Sequence, residues 1–245
     1  MKACGITDVG LQRHENQDTF AVERGADDGQ LIAVVCDGMG GERCGQLASS
    51  IAVRSFIEEM LAELRAGMSA RQLRETSALC VSRANTAVNR HAAENPDCLG
   101  MGTTLVSAVT CEGGAVVCNI GDSRAYRISN GRIERITRDH SVVEGLIESG
   151  NITAEQARTH PNRNLITRAL GPEESIECDV YDVALDEGDV LLLCSDGLVV
   201  TVTDEEMLST VAAAATPAES LERLLALSKQ RGAPDNVTAV VICNL

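Results

Sequence analysis

Three aspartates stand where apolar stretches of the sequence begin or end. Six apolar residues from Leu31 onward are followed at once by Asp37 and a glycine. The stretch V-L-L-L-C-S-D-G repeats this order around Asp196, and Asp235 shortly precedes an apolar run near the C-terminus. Carboxylate and carbonyl oxygens are the ligands that hard cations such as Mg²⁺ and Mn²⁺ prefer. If the three stretches come together in the fold, their aspartates could form one metal site.

The apolar run before Asp37 is too short for an ordinary helix and rich in aliphatic residues, which predicts a buried strand. A carboxylate at the end of such a strand lies at the edge of the core, where an unpaired charge is costly. It therefore needs a cation, either a metal ion or an arginine. Gly38 has no Cβ, so its backbone can approach that cation closely. Each Asp-Gly pair taken alone could instead be a hairpin turn, and Asp28-Gly29 is interpreted only in that way.

Two hard cations held by carboxylates would lower the pKa of the water between them. Such a pair stabilises the attacking and leaving oxygens when the ions are about 3.5–4 Å apart. Hydrolysis of a phosphate ester suits this kind of site. The reaction also needs a cation that orients the phosphate, and a forked guanidinium is best. Arg13, in a polar stretch close to Asp18, is the candidate, although it could also be a solvated loop residue.

The composition limits the classes of protein and of partner. A chain of 245 residues fits one domain, and a hydrophobic content of 44% is enough for a sizeable core. The net charge of −15 argues against nucleic acid and anionic membranes as partners. Local positive charge would therefore have to attract an anionic substrate. We find no internal repeat or linker, and expect one catalytic domain over 1–245.

The ten cysteines do not form a C-x-x-C motif, which argues against a zinc ribbon or a thioredoxin-like site. Those in or beside strand-like apolar runs are expected to be buried free thiols: Cys36, Cys111, Cys118, Cys194 and Cys243. Many unpaired cysteines, and an N-terminus without the apolar core of a signal peptide, predict a cytoplasmic location. No apolar run approaches the ~20 residues that a membrane helix needs.

Hydrophobic periodicity predicts the elements that must position these side chains. Strands are expected at 3–8, 19–23, 31–36, 103–110, 115–120, 124–129, 132–136, 175–184, 190–194 and 237–243. Helices are expected at 42–65, 69–93 and about 139–150, and after the caps Thr153, Thr203 and Thr216. The two long helices should bury Leu47, Ile51, Phe56, Ile57, Met60, Leu61, Leu64, Leu73, Leu79, Val81 and Val88.

This order of elements predicts an α+β fold. Two antiparallel sheets would pack together as a sandwich, with pairs of helices on the outer faces. The polar residues 141–164 follow a run of hairpin-connected strands and contain Gly150 and Pro161. We expect them to form an appendage rather than part of the sandwich.

Seven short motifs resemble one enzyme family. In order along the chain they are R-x-x-N-Q-D from Arg13, D-G-M-G-G from Asp37, M-G-T-T from Met101, G-D-S-R from Gly121, T-R-A-L-G from Thr167, S-D-G-L from Ser195 and D-N-V-T from Asp235. Together they are similar to the metal-dependent serine/threonine protein phosphatases of the type 2C family, in their short bacterial form. Each motif is short, but seven in register make the resemblance specific.

The resemblance implies an αββα sandwich and a binuclear Mn²⁺ or Mg²⁺ centre, with a weaker third metal in bacterial members. It implies hydrolysis of phosphoserine and phosphothreonine by direct attack of a metal-bridging water or hydroxide. By this resemblance, Asp37 would bridge both metals, the Gly38 carbonyl would bind one of them, and Asp196 and Asp235 would complete the other. Asp122 with Asp196 would hold the third metal, and Asp18 would act through metal-bound water. Asn236 would steady Asp235, and Arg13 would bind the phosphate.

Partners and the substrate side of the site follow from the same resemblance. The substrates would be phosphoproteins, including a cognate serine/threonine kinase and the proteins it phosphorylates, and the default oligomeric state is a monomer. Residues 141–164 resemble the flap beside the family's active site. Positive charge in and after it could come from Arg158, His160, Arg163 and Arg168, although these could also form a solvated basic face.

The donor of the leaving-group proton stays unassigned. Some family members carry a histidine after the first Asp-Gly, proposed as the general acid, where this chain has Met39. Bacterial relatives often have a histidine after the glycine pair, where this chain has Glu42. Metal-bound water could supply the proton, and neither His14 nor His140 is assigned to this role.

Two other classes of protein compete with this interpretation. Cys118 and Arg124 have the C-x5-R spacing of cysteine-dependent phosphatases, but Asp122 within that stretch would repel both thiolate and phosphate. A non-catalytic phosphoprotein-binding module on the same fold is the second alternative. Such a module would be expected to lack a metal-binding carboxylate, and here all of them are present.

Overall fold

The computed structural model describes residues 1–26 and 29–244, without the side chains of residues 42, 43 and 158. The strands in this part of the chain are β1 (Lys2–Asp8), β2 (Asp18–Arg24), β3 (Leu31–Met39), β4 (Gly102–Thr103), β5 (Leu105–Cys111), β6 (Gly114–Ile120), β7 (Arg124–Ser129), β8 (Arg132–Arg135), β9 (Asp179–Ala184), β10 (Val190–Cys194) and β11 (Val237–Cys243). Asp28 of the predicted turn Asp28-Gly29 lies outside the described residues.

The helices lie between these strands in three groups. They are α1 (Gly41–Glu63), α2 (Ala70–Glu94), α3 (Val142–Glu148), α4 (Ala154–Arg158), α5 (Asp196–Val199), α6 (Asp204–Ala213) and α7 (Pro217–Gln230), with a 3-10 turn at Pro96–Cys98. The predicted capping residues are found. Thr153, Thr203 and Thr216 each accept a hydrogen bond from a backbone N–H of the first turn, which satisfies a group that would otherwise lack a partner.

The strands form two antiparallel sheets. One has the order β1-β11-β10-β7-β8, and the other has the order β2-β3-β5-β6-β9, with β4 paired to the end of β3. Side chains of β3, β5 and β6 alternate between the two faces of their sheet, as the period of two requires. Leu31, Ala33 and Val35 therefore contact the other sheet, whereas Ile32 and Val34 contact the helices.

Three buried apolar layers hold the sheets and helices together. One lies between α1 and α2 and the sheet that contains β3. The second lies between the two sheets, and the third lies between the other sheet and α5, α6 and α7. The predicted α+β sandwich of two antiparallel sheets with outer helices is therefore confirmed. Among the described residues, no helix combines the length and the apolar character needed to cross a bilayer.

The inner faces of the two long helices were predicted correctly in most positions. Leu47, Leu61 and Leu79 are exceptions, because their exposed fractions are 36%, 47% and 45%. Each lies on the helix surface that is turned away from the sheet. Periodicity marks an apolar stripe, but it does not show how much of that stripe the neighbouring element covers.

Two predicted elements are shorter than expected. The helix predicted at 139–150 begins at Val142, because the backbone N–H of His140 binds Gly121 O at 2.8 Å and Ser141 forms an isolated bridge with Ile166. The strand predicted at 175–184 begins at Asp179. Upstream of it, the side chain of Asn85 binds the carbonyl oxygens of residues 173 and 174, which holds this segment over α2.

The cysteines are mostly free, with one exception that the sequence did not predict. Cys44 and Cys98 form a disulfide, with their Cα atoms 5.4 Å apart. The cysteines that were predicted to be free are free, and four of the five are buried: Cys36, Cys118, Cys194 and Cys243, with Cys111 partly buried.

The different burial of two leucines on α2 gives a test of the packing. Leu73 is fully buried against the sheet, whereas Leu79 on the same helix is 45% exposed. We expect Leu73→Ala to lower the free energy of unfolding by about 2–5 kcal/mol, since it leaves a cavity in a closely packed layer. Leu79→Ala is the matched control and should cost well under half as much. Urea denaturation followed by circular dichroism measures both, and equal losses would contradict this packing.

Candidate metal centre

One sheet places two aspartates directly opposite each other. Asp18 is the first residue of β2, and it pairs with Asp37 near the end of β3. The backbone of Asp37 is held on its other side by β5 and β4, since Asp37 O accepts from Thr104 N at 2.8 Å and from Thr103 Oγ1 at 2.9 Å. The antiparallel register therefore brings two carboxylates, distant in sequence, to the same end of the sheet.

The other sheet supplies two further aspartates at its adjacent edge. Strand β10 ends at Cys194, and Asp196 starts α5 two residues later. Asp235 lies two residues before β11, the strand paired with β10. Backbone contacts fix this junction, because Ser195 N donates to Thr238 O at 3.0 Å. Neighbouring antiparallel strands that end and begin at one edge thus place Asp196 and Asp235 side by side.

A cleft of about 610 Å³ opens where these two edges meet. Four aspartates line it, namely Asp37, Asp196, Asp235 and, after β6, Asp122, and Glu15 adds a fifth carboxylate. Gly38, Arg13 and Asn236 line the same cleft. The structure thus brings together seven of the residues that the sequence singled out, while Asp18 lies beneath the cleft rather than on its surface.

The carboxylates raise each other's pKa values, but burial contributes more. Loss of solvation, followed by the charge of Asp235, raises the pKa of Asp196 to about 6. Loss of solvation raises the pKa of Asp18 to about 7 and that of Asp122 to about 8, and in both cases the charge of Asp196 raises it further. Burial raises the pKa of Asp37 most clearly, and four neighbouring carboxylates raise it further. This region is therefore short of positive charge.

The donor set fits hard divalent cations. Asp18 Oδ1 and Asp196 Oδ1 are buried and have no hydrogen-bond partner in the part of the chain that the structure describes. A buried carboxylate oxygen without a partner is costly, and a cation would remove that cost. Other carboxylate oxygens of this region already accept hydrogen bonds. Asp235 Oδ2 accepts from Arg13 Nη2 at 2.8 Å, and Asp18 Oδ2 accepts from Ser195 Oγ at 2.7 Å. Within the described residues, no group of three such side chains is already arranged as a metal-ligand set.

Three glycines allow backbone segments to pack closely against each other on the two sides of the cleft. A Cβ added at Gly38 would lie 2.0 Å from Gly45 O, and one added at Gly45 would lie 2.9 Å from Gly38 O. A side chain at either position would therefore separate α1 from β3 or cover the Gly38 carbonyl. On the other side of the cleft, a Cβ added at Gly197 would lie 2.0 Å from Asn236 O. Gly45 was not singled out from the sequence, because no motif marks it.

Asn236 positions the loop that carries Arg13. Its Nδ2 donates to the carbonyl oxygens of Val9 and Glu15, both at 3.0 Å, and its Oδ1 accepts from Gln17 N at 2.8 Å. The contact with Asp235 is made instead by the backbone, where Asn236 N donates to Asp235 Oδ1 at 2.9 Å. The Asn236 side chain therefore holds the loop of residues 9–17, and its backbone N–H contacts Asp235, the residue that it was expected to steady.

Supporting residues with hydroxyl groups were missed by the sequence analysis. Ser195 Oγ binds Asp18 Oδ2 and accepts from Thr238 N at 3.1 Å. Thr104 Oγ1 accepts from Asp37 N at 2.9 Å and also contacts Ser123 Oγ at 2.7 Å. All four of these residues lie within the quoted motifs, and Ser195 and Ser123 adjoin an aspartate. Their position in the motifs was therefore the available signal.

The basic residues predicted in and after the flap, where their side chains are described, have different surroundings. Arg168 Nη1 binds Asp179 Oδ1 at 3.0 Å and contacts His140 Nε2 at 3.1 Å, so its charge is paired away from the carboxylates. His160 binds the backbone of its own segment, since its Nδ1 accepts from Asn162 N at 3.1 Å. Arg163 lines a second groove that also includes Asp122. The side chain of Arg158 lies outside the described residues.

His140 is part of the support behind the cleft. Its Nδ1 accepts from Gly121 N at 3.1 Å, and its Nε2 lies 3.2 Å from Asp179 Oδ2. These contacts hold the turn before Asp122 from its buried side. His140 does not line the cleft, whereas His14 does.

The alternative thiol site lacks the required geometry. Cys118 is fully buried within β6, and its hydrogen bond with Cys178 and its burial raise the pKa of the thiol well above the usual value. Arg124 is bound to Asp139, with Nη2 and Oδ2 2.6 Å apart. A protonated, buried thiol and a neutralised arginine do not make a phosphate-binding nucleophile.

Comparisons with known proteins agree with this fold and site. The family described as Protein phosphatase 2C matches residues 12–238. The serine/threonine phosphatase stp of Listeria monocytogenes is 36% identical over 236 residues, which cover 96% of this chain and 93% of that protein.

Two solved structures are similar over nearly the whole chain. The serine/threonine phosphatase Stp1 from Staphylococcus aureus has a TM-score of 0.92 at 34% identity, covering 98% of this chain and 93% of that one. The catalytic domain of the serine/threonine protein phosphatase PstP, in complex with two manganese ions, has a TM-score of 0.84 at 33% identity, covering 98% and 96%.

The fold, the carboxylate-lined cleft and these matches define a phosphatase of the αββα class. The chain belongs to the protein phosphatase 2C family. The enzyme class predicted from the sequence, a serine/threonine protein phosphatase, is confirmed.

The raised pKa values predict how the metal-free chain responds to pH. A carboxyl group with a raised native pKa binds more protons when folded than when unfolded, so stability falls as pH rises. The fall should begin near the usual aspartate pKa of about 3.9 and end above the pKa of about 8 of Asp122. In EDTA, we therefore expect a lower melting temperature at about pH 8 than at about pH 6.

Three controls distinguish the titration of the buried carboxylates from a general effect of the net charge on stability. Mn²⁺ competes with protons for the same carboxylates, so it should raise the melting temperature more at the higher pH. Asp122→Asn should weaken the pH dependence in EDTA. Asp186→Asn should not, because that carboxylate is 84% exposed. A melting temperature in EDTA that rises over this pH interval would contradict the assignment.

Proposed function

We propose that this chain hydrolyses phosphoserine and phosphothreonine in proteins by direct attack of water on phosphorus, without a phosphoenzyme intermediate. The observation that carries the proposal is the convergence of Asp37, Asp122, Asp196 and Asp235 on one cleft that also contains Arg13. Two Mn²⁺ or Mg²⁺ ions, with a weaker third, are the proposed cofactors. A relative whose structure contains two manganese ions supports this choice.

The proposed ligands come from both sheets. Asp37 and the Gly38 carbonyl would hold cations on the β3 side, and Asp196 and Asp235 would hold them from the other sheet. Asp122 with Asp196 would hold the third cation, and Asp18 would act through a bound water molecule. When bound, a pair of such cations lowers the pKa of the water between them and stabilises charge on the phosphate oxygens.

Arg13 is proposed to bind the phosphate. Its guanidinium is 54% exposed at the mouth of the cleft and is bound at present by Asp235. A cation bound by Asp235 would compete for that carboxylate, which would release Arg13 towards a phosphate. The forked geometry then allows two parallel hydrogen bonds to phosphate oxygens. The bonds from Asn236 to residues 9 and 15 keep this loop beside the cleft.

The proposed role in the cell is inferred from the resemblance to the family. We propose a single catalytic domain over 1–245, with a flap at about 141–164, acting as a cytoplasmic signalling enzyme and as a monomer. Its substrates would include a cognate serine/threonine kinase and the proteins which that kinase phosphorylates. The net charge of −15 argues against nucleic acid and anionic membrane partners.

A phosphatase assay of a phosphothreonine peptide over a Mn²⁺ titration tests this function. Activity that depends on Mn²⁺ and disappears in EDTA supports the proposal. Activity that survives EDTA but is lost in Cys118→Ser would favour the cysteine-dependent alternative. Absence of hydrolysis at every Mn²⁺ concentration, for both this peptide and p-nitrophenyl phosphate, would favour a non-catalytic binding module.

Removing the central carboxylate should abolish catalysis. Asp37→Asn keeps the size of the side chain but removes the charge that would bridge two cations. Since changing even a residue behind a metal ligand costs about 10–100-fold, we expect a loss of at least about a hundredfold in kcat/KM. Asp186→Asn, in an exposed turn, is the matched control and should keep full activity. Normal activity in Asp37→Asn would refute the assignment.

Changing Arg13 should separate phosphate binding from metal binding. We expect Arg13→Ala to raise KM by about tenfold or more, because a hydrogen bond to a charged group contributes about 1.5–3 kcal/mol. Arg13→Lys should recover only part of this, since it keeps the charge and loses the fork. The Mn²⁺ concentration for half-maximal activity should change less than KM in both variants. A larger change in the Mn²⁺ requirement than in KM would overturn this role.

A further inference from the structure

The disulfide Cys44–Cys98 joins two segments that flank the cleft. Cys44 lies near the start of α1, and Cys98 is the last residue of the 3-10 turn Pro96–Cys98. The two cysteines are separated by 54 positions, so the closed loop contains nearly all of α1 and α2. The other eight cysteines of the described chain are free. The bond is therefore a local feature beside the cleft and not part of a disulfide framework.

The Cys44 end contacts the backbone of the proposed metal site. Gly45 follows Cys44 and packs directly on Gly38, as the 2.0 Å between an added Gly38 Cβ and Gly45 O shows. Gly40, between β3 and α1, is in van der Waals range of Cys44, because a Cβ added there would lie 3.7 Å from Cys44 Cβ. A movement of the first turns of α1 would therefore move the Gly38 carbonyl.

The residues that follow Cys98 along the chain include those that hold the backbone of Asp37. A Cβ added at Gly40 would lie 2.9 Å from Met101 Cα, three residues after Cys98. The next two residues form β4 and pair with Gly38 and Met39. The disulfide thus joins the start of α1 to the segment that leads into β4, and the backbones of both contact the end of β3.

In the described part of the chain, no side chain caps the start of α1. Its N-cap is Gly40, which has no side chain to bind the free N–H groups of the first turn. By contrast, Ser69 caps α2, Thr203 caps α6 and Thr216 caps α7. A helix end without a side-chain cap leaves backbone donors without partners and frays more readily. The disulfide restrains this uncapped end.

We propose that Cys44 and Cys98 are a redox modification site that reacts with low-molecular-weight disulfides, and that their oxidation increases the affinity of the adjacent cleft for divalent cations. Reduction would let the first turns of α1 fray and the Gly45–Gly38 contact loosen. The inference rests on the proposed function only in naming Mn²⁺ as the cation.

The exchange balances without any further reactant. Cys98 is partly exposed, whereas Cys44 is 8% exposed, so the thiolate of Cys98 attacks the small disulfide first. That step releases one small thiolate and leaves a mixed disulfide on Cys98. The thiolate of Cys44 then attacks the Cys98 sulfur and releases the second one. Two protein thiols lose two electrons and two protons, and one small disulfide becomes two small thiols.

The test uses the full chain equilibrated in buffers of reduced and oxidised glutathione. The state of each cysteine is read by alkylation and mass spectrometry, and Mn²⁺ affinity by equilibrium dialysis without substrate. We expect the oxidised chain to bind Mn²⁺ about fivefold more tightly than the reduced chain, the lower end of common couplings between sites. Because coupling is reciprocal, saturating Mn²⁺ should favour the disulfide by the same factor.

Two variants give matched controls. The double variant Cys44→Ser, Cys98→Ser should bind Mn²⁺ as the reduced chain does, at every glutathione ratio. Cys4→Ser removes a partly buried free cysteine in β1, and it should keep the full redox response. The titration of the unchanged chain needs neither variant, so a folding defect in the double variant leaves the test intact.

Three results would overturn the inference. Cys44 and Cys98 could stay open to alkylation at every glutathione ratio. The disulfide could form without changing Mn²⁺ affinity, or with weaker Mn²⁺ binding. Redox-dependent Mn²⁺ binding by a chain that does not hydrolyse p-nitrophenyl phosphate would instead contradict the proposed function and support the redox site.

Discussion

The concentration of negative charge at one junction constrains the rest of this structure. Asp18, Asp37, Asp122 and Asp196 all have raised pKa values, because each is removed from water close to the others. A fold that relied on apolar packing alone would not gather such groups. Their convergence costs stability, and clusters of perturbed pKa values of this kind are typical of functional sites. The two sheets supply the rigid frame that keeps the carboxylates together against their repulsion.

Close backbone contacts, more than side-chain contacts, connect the two sheets to the residues that line the cleft. Gly38 packs against Gly45, and Gly197 packs against Asn236, at distances that exclude any side chain. The hydroxyl groups of Ser195 and Thr104 then fix Asp18 and the backbone of Asp37. A site built on strand ends in this way is held more precisely than one built on free loops. Within the segment with α3 and α4, Arg163 lines a groove shared with Asp122 and Asp196, whereas Arg168 beyond it is bound to Asp179.

The sequence analysis succeeded where a local pattern carries the information. Alternation and short apolar runs located the strands, and β7, β10 and β11 begin and end where they were predicted. It failed where burial depends on a distant element, as for Leu47, Leu61 and Leu79, whose periodicity is correct but whose faces are uncovered. The contacts of the Asn236 side chain were missed for a related reason, because its partners lie more than two hundred positions away.

The sequence by itself determined the family, the order of the elements and the identity of the carboxylates, because each is written in a motif of a few consecutive residues. Only the tertiary structure decided which oxygens lack partners, that Arg13 is bound to Asp235, and that Cys44 meets Cys98. These features depend on pairs of residues from about 50 to more than 200 positions apart. Contacts over such separations are set by how sheets and helices pack, and no local pattern encodes them.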